Sequence, residues 1–469
     1  MAPKNYEFLE IAHKRAVEKK THVSFPQLKY PSLRDHGFKD PVQWLHGKAM
    51  DDGAEGLWRI HNGIYDFKSF MKHHPGGEEW LELTKLKRRI RSYIQKAVNL
   101  NTGTDITEAF ESHHLNPVVE KMLSKYFVKE ASTSRNSPYT FDDDGFYRTL
   151  KQTVWEELKK VPKDIPKNAD RITDGLLITT LITAALTCWS KSNWVGTISY
   201  LISSFSLAWL TVAAHNYIHR RSNWRMYLFN FSLWSYRDFR VSHALSHHLY
   251  TNTLMDLEIS AFEPICLWNP RRDKSFLTNF TFLIQCLVYP FGFIHNFLKR
   301  FILNFVRKDF FKNHYRWHDG IGLLLPLWMW IISGCSFQDA IVNWLWINCT
   351  ASLIFLTIGS NAAHHHPKIF KDGDEVRTTT PDWGMQELEA VMDREDINGN
   401  LFKVMTFFGD HSLHHLFPTL DHAVLPYLYP TFLKHCEQFK ANFRTTTQFD
   451  LFIGQIKMAM KKDVNLLEE

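Results

Sequence analysis

Apolar residues along this 469-residue chain fall into two regimes. Up to about residue 170 they come in short runs broken by charged and turn-forming residues, as in Trp58-Arg59-Ile60 and Tyr65-Asp66-Phe67, with an apolar-periodic helix at Val118-Val119-Glu120-Lys121-Met122-Leu123. Beyond that point five long apolar stretches appear, at about 172–190, 193–214, 276–298, 321–335 and 340–360. A helix that crosses a bilayer needs about 20 apolar residues. The first pair therefore reads as a membrane hairpin, and the last pair as a second one with Ser333-Gly334 as its turn. The stretch at 276–298 contains Pro290 and Gly292 and reads as interfacial. Between the regimes, Ser132-Thr133-Ser134-Arg135-Asn136-Ser137-Pro138 reads as part of a flexible tether over 131–140, followed by one amphipathic helix from Phe146 to Leu158. The pattern divides the chain into an extension (1–40) expected to pack on the next unit, a compact unit (41–130), a linker (131–170), a helical membrane unit (171–435) and a tail (436–469).

Charge orients the membrane unit. Arg220, Arg221, Arg225, Arg237, Arg240, Lys299, Arg300, Arg307 and Lys308 follow the apolar stretches on what two hairpins make one common side. The positive-inside rule makes that side cytosolic, together with both termini. Met1-Ala2-Pro3-Lys4-Asn5-Tyr6-Glu7 lacks a hydrophobic signal region, which leaves the first unit in the cytosol. The net charge of +6 suits a cytosolic membrane face, and no basic run is interleaved with aromatics, so no nucleic-acid partner is expected. Aromatics make up 14% of the chain and concentrate in its second half, as interfacial belts require. The six cysteines, at 188, 266, 286, 335, 349 and 436, show no close pairing and read as free thiols rather than disulfides or a zinc site.

Histidines then supply candidate chemistry. His215 and His219 follow an apolar span, His243, His247 and His248 come next, and His411, His414 and His415 form a third cluster, while His364-His365-His366 caps the last span. On a helix, positions i, i+3 and i+4 share a face, so His411, His414 and His415 can point at one metal, as can His215 with His219. In the middle cluster His243 and His247 align, but His248 lies about 100° further round and needs a second metal or a break in the helix. Many imidazoles without paired thiolates suit non-heme iron able to activate oxygen, and there are more ligands than one iron can hold.

Two resemblances cover most of the chain. His74-Pro75-Gly76-Gly77, with Trp58-Arg59-Ile60 and Tyr65-Asp66-Phe67 before it, resembles a cytochrome b5 domain. That family's Asp-x-Thr-x-x-Phe pattern matches Asp105, Thr107 and Phe110, followed by His113 and His114. The resemblance implies an α+β fold holding heme b between His74 and His114, with His113 the fallback. Such a heme needs two imidazoles on opposite faces of an apolar slot. Pro75 pre-sets the turn, and Gly76-Gly77 permit close backbone approach. The chain departs from the family at Leu86 to Thr102, an insert between the two proposed ligands.

The later clusters resemble the three histidine boxes of membrane fatty-acid desaturases, the third continuing His414-His415-Leu416-Phe417-Pro418 and preceded by Asp382-Trp383-Gly384 and Glu387-Leu388. Front-end members carry Gln where this chain has His411, so front-end regioselectivity is not expected. Asn361-Ala362-Ala363-His364 is similar to the asparagine and histidine segment of acyl-CoA desaturases, where the spacing is one residue longer. The resemblance implies an all-α membrane desaturase domain of about four transmembrane helices with a cytosolic histidine-rich cap. It implies two non-heme irons on His215, His219, His243, His247, His248, His364, His411, His414 and His415. It further implies a fatty-acyl substrate, O2, cytochrome b5 reductase as electron donor, and the endoplasmic reticulum membrane. A lipid hydroxylase and a non-catalytic electron-transfer protein on the same scaffold are the alternatives.

Overall fold

Asp40 opens the first helix, α1 (Pro41–Asp51): its carboxylate accepts the Val42 N–H at 2.7 Å, and Pro41 occupies the first turn, where its missing N–H costs nothing. A computed structural model of the chain describes residues 23–31, 34, 40–85, 103–190, 192–263, 265–306 and 316–467. After α1 an antiparallel sheet of β1 (Trp58–Ile60), β2 (Gly63–Tyr65) and β3 (Phe127–Glu130) pairs Trp58 with Tyr65 and Tyr65 with Phe127. Between β2 and β3 run α2 (Glu78–Leu83), α3 (Thr107–His113) and α4 (Val118–Leu123). Trp58, Ile60, Phe67, Met71, Leu81 and Phe110 form the core of this unit.

The proposed insert, Leu86 to Thr102, lies outside the described residues. Its flanks are informative. Lys85 and Gly103 pair as an antiparallel bridge, and the Thr104 hydroxyl donates to the Thr84 carbonyl at 3.4 Å, so the chain leaves and returns at one place. A Cβ on Gly103 would lie 1.9 Å from the Leu57 carbonyl oxygen, which excludes any other residue there. Replacing 86–102 by a two-residue Asn-Gly turn, which suits an antiparallel pair, is therefore expected to keep the fold and to hold heme at least as tightly. Loss of the heme absorbance in that variant would show that the segment helps to build the site.

The tether expectation does not hold. Residues 131–140 are pinned along their length: Ala131 N–H donates to Asn62 O at 2.7 Å, Arg135 pairs with Asp105 at 2.9 Å, and Thr140 exchanges backbone hydrogen bonds with Pro381 and Trp383 at 3.0 and 3.2 Å. A polar composition allowed flexibility, but these polar groups find fixed partners instead, Asp105, Pro381 and Trp383 among them buried. The extension behaves differently too. Ser24 Oγ donates to Asp374 O at 2.8 Å and Phe25 packs on Phe370 at 5.9 Å, so the described part of 23–34 reaches the second unit rather than only the first. Helix α5 (Phe146–Leu158) buries Tyr147, Leu150 and Val154, and Lys151 on it pairs with Glu111 of α3 at 2.9 Å.

Helices α6 (Pro166–Trp189) and α7 (Asn193–Ile218) form the first apolar hairpin. The short α8 (Tyr236–Phe239) follows, and then α9 (Thr281–Val288) and α10 (Gly292–Val306), separated by a tight turn at Tyr289–Phe291. Pro290 accounts for the break, and Ser352 fills it: its hydroxyl donates to Tyr289 O and accepts the Phe293 N–H at 3.1 Å. Helix α11 (Leu324–Ser333) has only ten residues, about 15 Å at 1.5 Å per residue. The seven-residue 3-10 turn Trp317–Leu323 before it adds about 14 Å, bringing the pair near the ~30 Å hydrocarbon thickness. Helix α12 (Phe337–Ser360) completes the apolar set.

Four segments are long and apolar enough to cross a membrane: Pro166–Trp189, Asn193–Ile218, Phe276–Leu303 and Phe337–Ser360. The third was expected to be interfacial, whereas α11 alone falls short of a span. Ile178, Ile182, Trp189, Trp194, Ile198, Leu287, Ile331 and Trp346 all stand exposed on these helices. In water each would forgo about 1.5–3 kcal/mol of burial, so apolar side chains exposed in this number along apolar helices suit contact with lipid. The remaining elements are α13 (Trp383–Glu389), β4 (Asp393–Arg394), α14 (Leu401–Phe407), α15 (His411–Leu416), α16 (Leu425–Phe439), β5 (Thr445–Thr446) and α17 (Gln448–Met460), of which α14 packs on α7, with Phe402 5.6 Å from Trp209. All six cysteines are free thiols.

Candidate metal and heme centres

At the end of α3 the backbone leaves the helix, with His113 its last residue and His114 already extended at φ −119° and ψ 99°. Consecutive side chains therefore face different ways. The His114 ring stands 6.1 Å from that of His74, centroid to centroid, whereas His113 packs on Trp80 at 5.2 Å. His74 Nδ1 donates to Gly77 O at 2.9 Å and His114 Nδ1 to Phe110 O at 3.0 Å, which leaves each Nε2 with its lone pair toward the shared space. Phe70 edges onto His74 and Phe110 lies against His114, giving the slot apolar walls. Burial holds both imidazoles below the usual histidine range, His114 down to about 4, so they are neutral donors at physiological pH. These features fit a heme held between two imidazoles.

The first box sits at the C-terminal end of α7, where helix carbonyls favour a cation. His215 Nε2 lies 2.8 Å from both His219 Nε2 and His243 Nε2. The second box does not lie on a regular helix. Arg240–Ser246 forms a π-helical turn and His247–Leu249 a 3-10 turn, so the helix breaks within the box. As a result His248, not His247, meets His243, with Nε2 atoms 3.0 Å apart, while His247 Nε2 approaches His364 Nε2 at 3.1 Å. The third box is divided as well, which corrects the expectation of one metal for all three residues. His414 Nε2 lies 3.3 Å from His215 Nε2, whereas His411 Nε2 lies 2.8 Å from His364 Nε2. The reason is angular: residues 414 and 415 are about 100° apart on a helix, and α15 runs along the seam between two pockets.

Two groups result. Ring nitrogens of His215, His219, His243, His248 and His414 all lie within 4.8 Å of one another, as do those of His247, His364 and His415, which His411 joins through His364. His248 and His415 stack face to face at 3.9 Å and form the wall between the groups. His365 and His366 do not take part: His365 stacks on Trp268 at 4.1 Å and takes a hydrogen bond from Lys371 Nζ at 2.9 Å.

Outer partners fix the rings. His243 Nδ1 is 3.0 Å from Glu258, His247 Nδ1 2.9 Å from Asp256 and His415 Nδ1 3.0 Å from Glu387. The carbonyls of Ala390 and Phe408 take the Nδ1 protons of His364 and His411 at 3.0 and 3.1 Å. Such partners set the tautomer and turn each Nε2 lone pair inward. Burial holds His243, His248, His364, His411, His414 and His415 well below the usual range. At His247 burial is outweighed by Asp256 and Glu258, which carry it up to about 9. A metal at His247 would therefore displace its Nε2 proton, whereas the lone pairs that converge from the other rings repel unless a cation lies between them, and His415 Nε2 is buried without a partner among the described residues. The donor sets therefore fit borderline transition metals such as iron.

Sequence reasoning gave no role to Asp256 and Glu258, which carry no recognisable motif. Ser246 brings them in: its hydroxyl donates to Met255 O and accepts the Leu257 N–H, both at 2.8 Å. His422 was also missed. Its ring lies tilted against that of His414 at 4.6 Å, and neither of its ring nitrogens has a partner among the described residues.

A cavity of about 270 Å³ adjoins the groups, with His243, His247, His364 and His411 in its lining. Phe262, Phe355, Leu356 and Phe408 supply apolar wall, and Asp238, His295, Asn296 and Lys299 polar wall. Asp40 and Pro41 line it too, so the start of α1 contributes to a cavity of the helical unit.

With this geometry, comparison with known proteins is direct. The chain belongs to the fatty acid desaturase family, whose model matches residues 192–447, and residues 46–85 match the cytochrome b5-like heme/steroid binding domain. The second match ends where the undescribed 86–102 segment begins. Over 441 residues the chain is 38% identical to the cytochrome b5-related protein of Drosophila melanogaster, covering 93% of this chain and 95% of that one. It is 25% identical to the probable Delta(5) fatty acid desaturase C of Dictyostelium discoideum, covering 88% and 93% respectively. Cytochrome b5 type B of Mus musculus is 31% identical over 112 residues, which is 24% of this chain and 65% of that protein. No solved structure matches. The protein is thus a cytochrome b5-fused desaturase-family protein with a heme-type domain, histidine clusters suited to iron, and the apolar helices of a membrane protein.

Proposed function

We propose that the protein is an oxygen-dependent di-iron desaturase of fatty-acyl lipids, supplied with electrons by its own heme domain. The observation that carries this reading is the division of nine buried imidazoles into adjacent groups of five and four, with Nε2 atoms turned inward. His215, His219, His243, His248 and His414 would hold one iron, His247, His364, His411 and His415 the second, and His74 with His114 the heme b. Iron held in this way supplies oxygen activation and the oxidising power to take two hydrogens from an unactivated methylene pair, and heme supplies single electrons.

The chain's own residues provide the rest. Glu258, Asp256 and Glu387 orient ligand rings through Nδ1. Phe262, Phe355, Leu356 and Phe408 offer an acyl chain an apolar wall beside His243 and His364 and keep bulk water away. Basic residues on the histidine side support a cytosolic placement of the cap, the termini and the heme domain. That placement fits the endoplasmic reticulum membrane and a cytosolic cytochrome b5 reductase as donor.

Expression in desaturase-deficient yeast, with lipid profiles compared for wild type and His414→Ala, tests the reading. New double bonds are expected with the wild type and none with the variant. New hydroxyl groups instead would make the protein a lipid hydroxylase. An unchanged profile, together with fewer than about one non-heme iron per chain, would sink both and leave an electron-transfer role.

A further inference from the structure

The His-Pro-Gly-Gly loop is fastened to the helical unit. Gly76 O accepts the Ser222 N–H at 3.1 Å. Gly77 has φ +111°, and a Cβ there would lie 2.6 Å from Ser222 Oγ, so the second glycine serves this contact as well as the turn. Glu79 then meets a basic and phenolic surface: Tyr236 OH at 3.2 Å, Arg240 at 2.6 Å and Arg237 at 3.3 Å. Arg240 is wholly buried and lies over the Trp80 ring at 4.6 Å, and its Nε donates to Ile218 O at 3.0 Å, immediately before His219. Arg240 also begins the π-helical turn that carries His243. On its other side Trp80 packs on His113, the neighbour of His114, and His113 O accepts the Thr419 hydroxyl at 3.4 Å. Packed or bonded neighbours therefore run without a gap from His114 through His113, Trp80 and Arg240 to His219 and His243.

We propose that this junction is the working electron contact: the heme domain acts while docked in cis, with Glu79 the positioning residue that holds Trp80 against Arg240. The inference rests on the desaturase reading above and adds the surface through which it operates. For each double bond, one O2 accepts four electrons and four protons and leaves as two waters. Two electrons and two protons come from the acyl C–H bonds, two protons come from solvent, and two electrons cross this junction singly. The pinned segment 131–140 agrees with a fixed dock rather than a tethered excursion. A buried guanidinium deprived of its carboxylate is strongly disfavoured, so reversing Glu79 should open the surface.

The test uses full-length protein in detergent or nanodiscs, comparing wild type with Glu79→Lys and Glu79→Gln. The heme spectrum and its rate of reduction by NADH and cytochrome b5 reductase should be unchanged, showing an intact heme domain. Amide exchange in the peptide containing the Ser222 N–H should rise at least ~10-fold in Glu79→Lys, whether or not heme is loaded. Reoxidation of ferrous heme on mixing with O2 and acyl substrate should slow at least ~10-fold, with Glu79→Gln intermediate. Unchanged exchange would overturn Glu79 as the anchor. Raised exchange with unchanged reoxidation would overturn the junction as the electron contact. Should wild-type heme reoxidise no faster than heme in His414→Ala, the desaturase reading itself fails, and the junction with it.

Discussion

Replacing His364 with alanine should lower bound non-heme iron by up to one atom per chain and abolish product formation, although His364 lies outside all three boxes. Its Nε2 is 3.1 Å from that of His247 and 2.8 Å from that of His411, and the Ala390 carbonyl fixes its tautomer. Loss of an outer partner alone typically costs roughly 10–100-fold in metal affinity, and loss of a ligand should cost more. His366, two positions on, is the internal control. It is half-buried and stands outside both groups, so His366→Ala should leave iron content and product within about twofold of wild type, as substitutions away from buried networks usually do. Iron analysis and lipid profiling on the same preparations decide the matter. Equal effects at 364 and 366 would remove His364 from the ligand set.

His74→Ala and His114→Ala are each expected to remove the reduced-minus-oxidised heme difference spectrum and, with it, reductase-dependent turnover. His113→Ala should keep most of the heme signal, because His113 faces Trp80 rather than His74. A spectrum lost in His113→Ala but kept in His114→Ala would reverse the assignment. Non-heme iron should survive in all three variants, since its groups draw on none of these residues.

The sequence was most legible where spacing and chemistry coincide. The loop at His74 and the histidine clusters stand out as patterns, and helical spacing correctly placed His215 beside His219. Spacing could not say which pocket a residue enters. It names a face, but α15 presents its face to a seam, and a step of one residue decides between His414 and His415. The π-helical turn at Arg240–Ser246 has neither Pro nor Gly to announce it, so spacing left a second metal and a broken helix both open and paired His243 with His247, where the break instead brings His248 to His243. Asp256 and Glu258 reach their histidines only because Ser246 folds the following loop back. Polar composition misled at 131–140 for a related reason: Arg135 and Thr140 read as solvated until their partners, Asp105 and Pro381, are known. Hydropathy located the apolar helices but not their roles, since Phe276–Leu303 meets the span criterion despite Pro290.

The pairing of Lys85 with Gly103 carries a consequence for how this chain tolerates change. Where the two ends of a segment already touch, the length of the intervening chain enters the folding free energy only logarithmically, each doubling costing about 0.6 kcal/mol. The position is a natural port: cargo of almost any size can be spliced in without altering the register on either side. A small fluorescent domain carried there would sit beside the heme unit and report on its occupancy from within the intact protein.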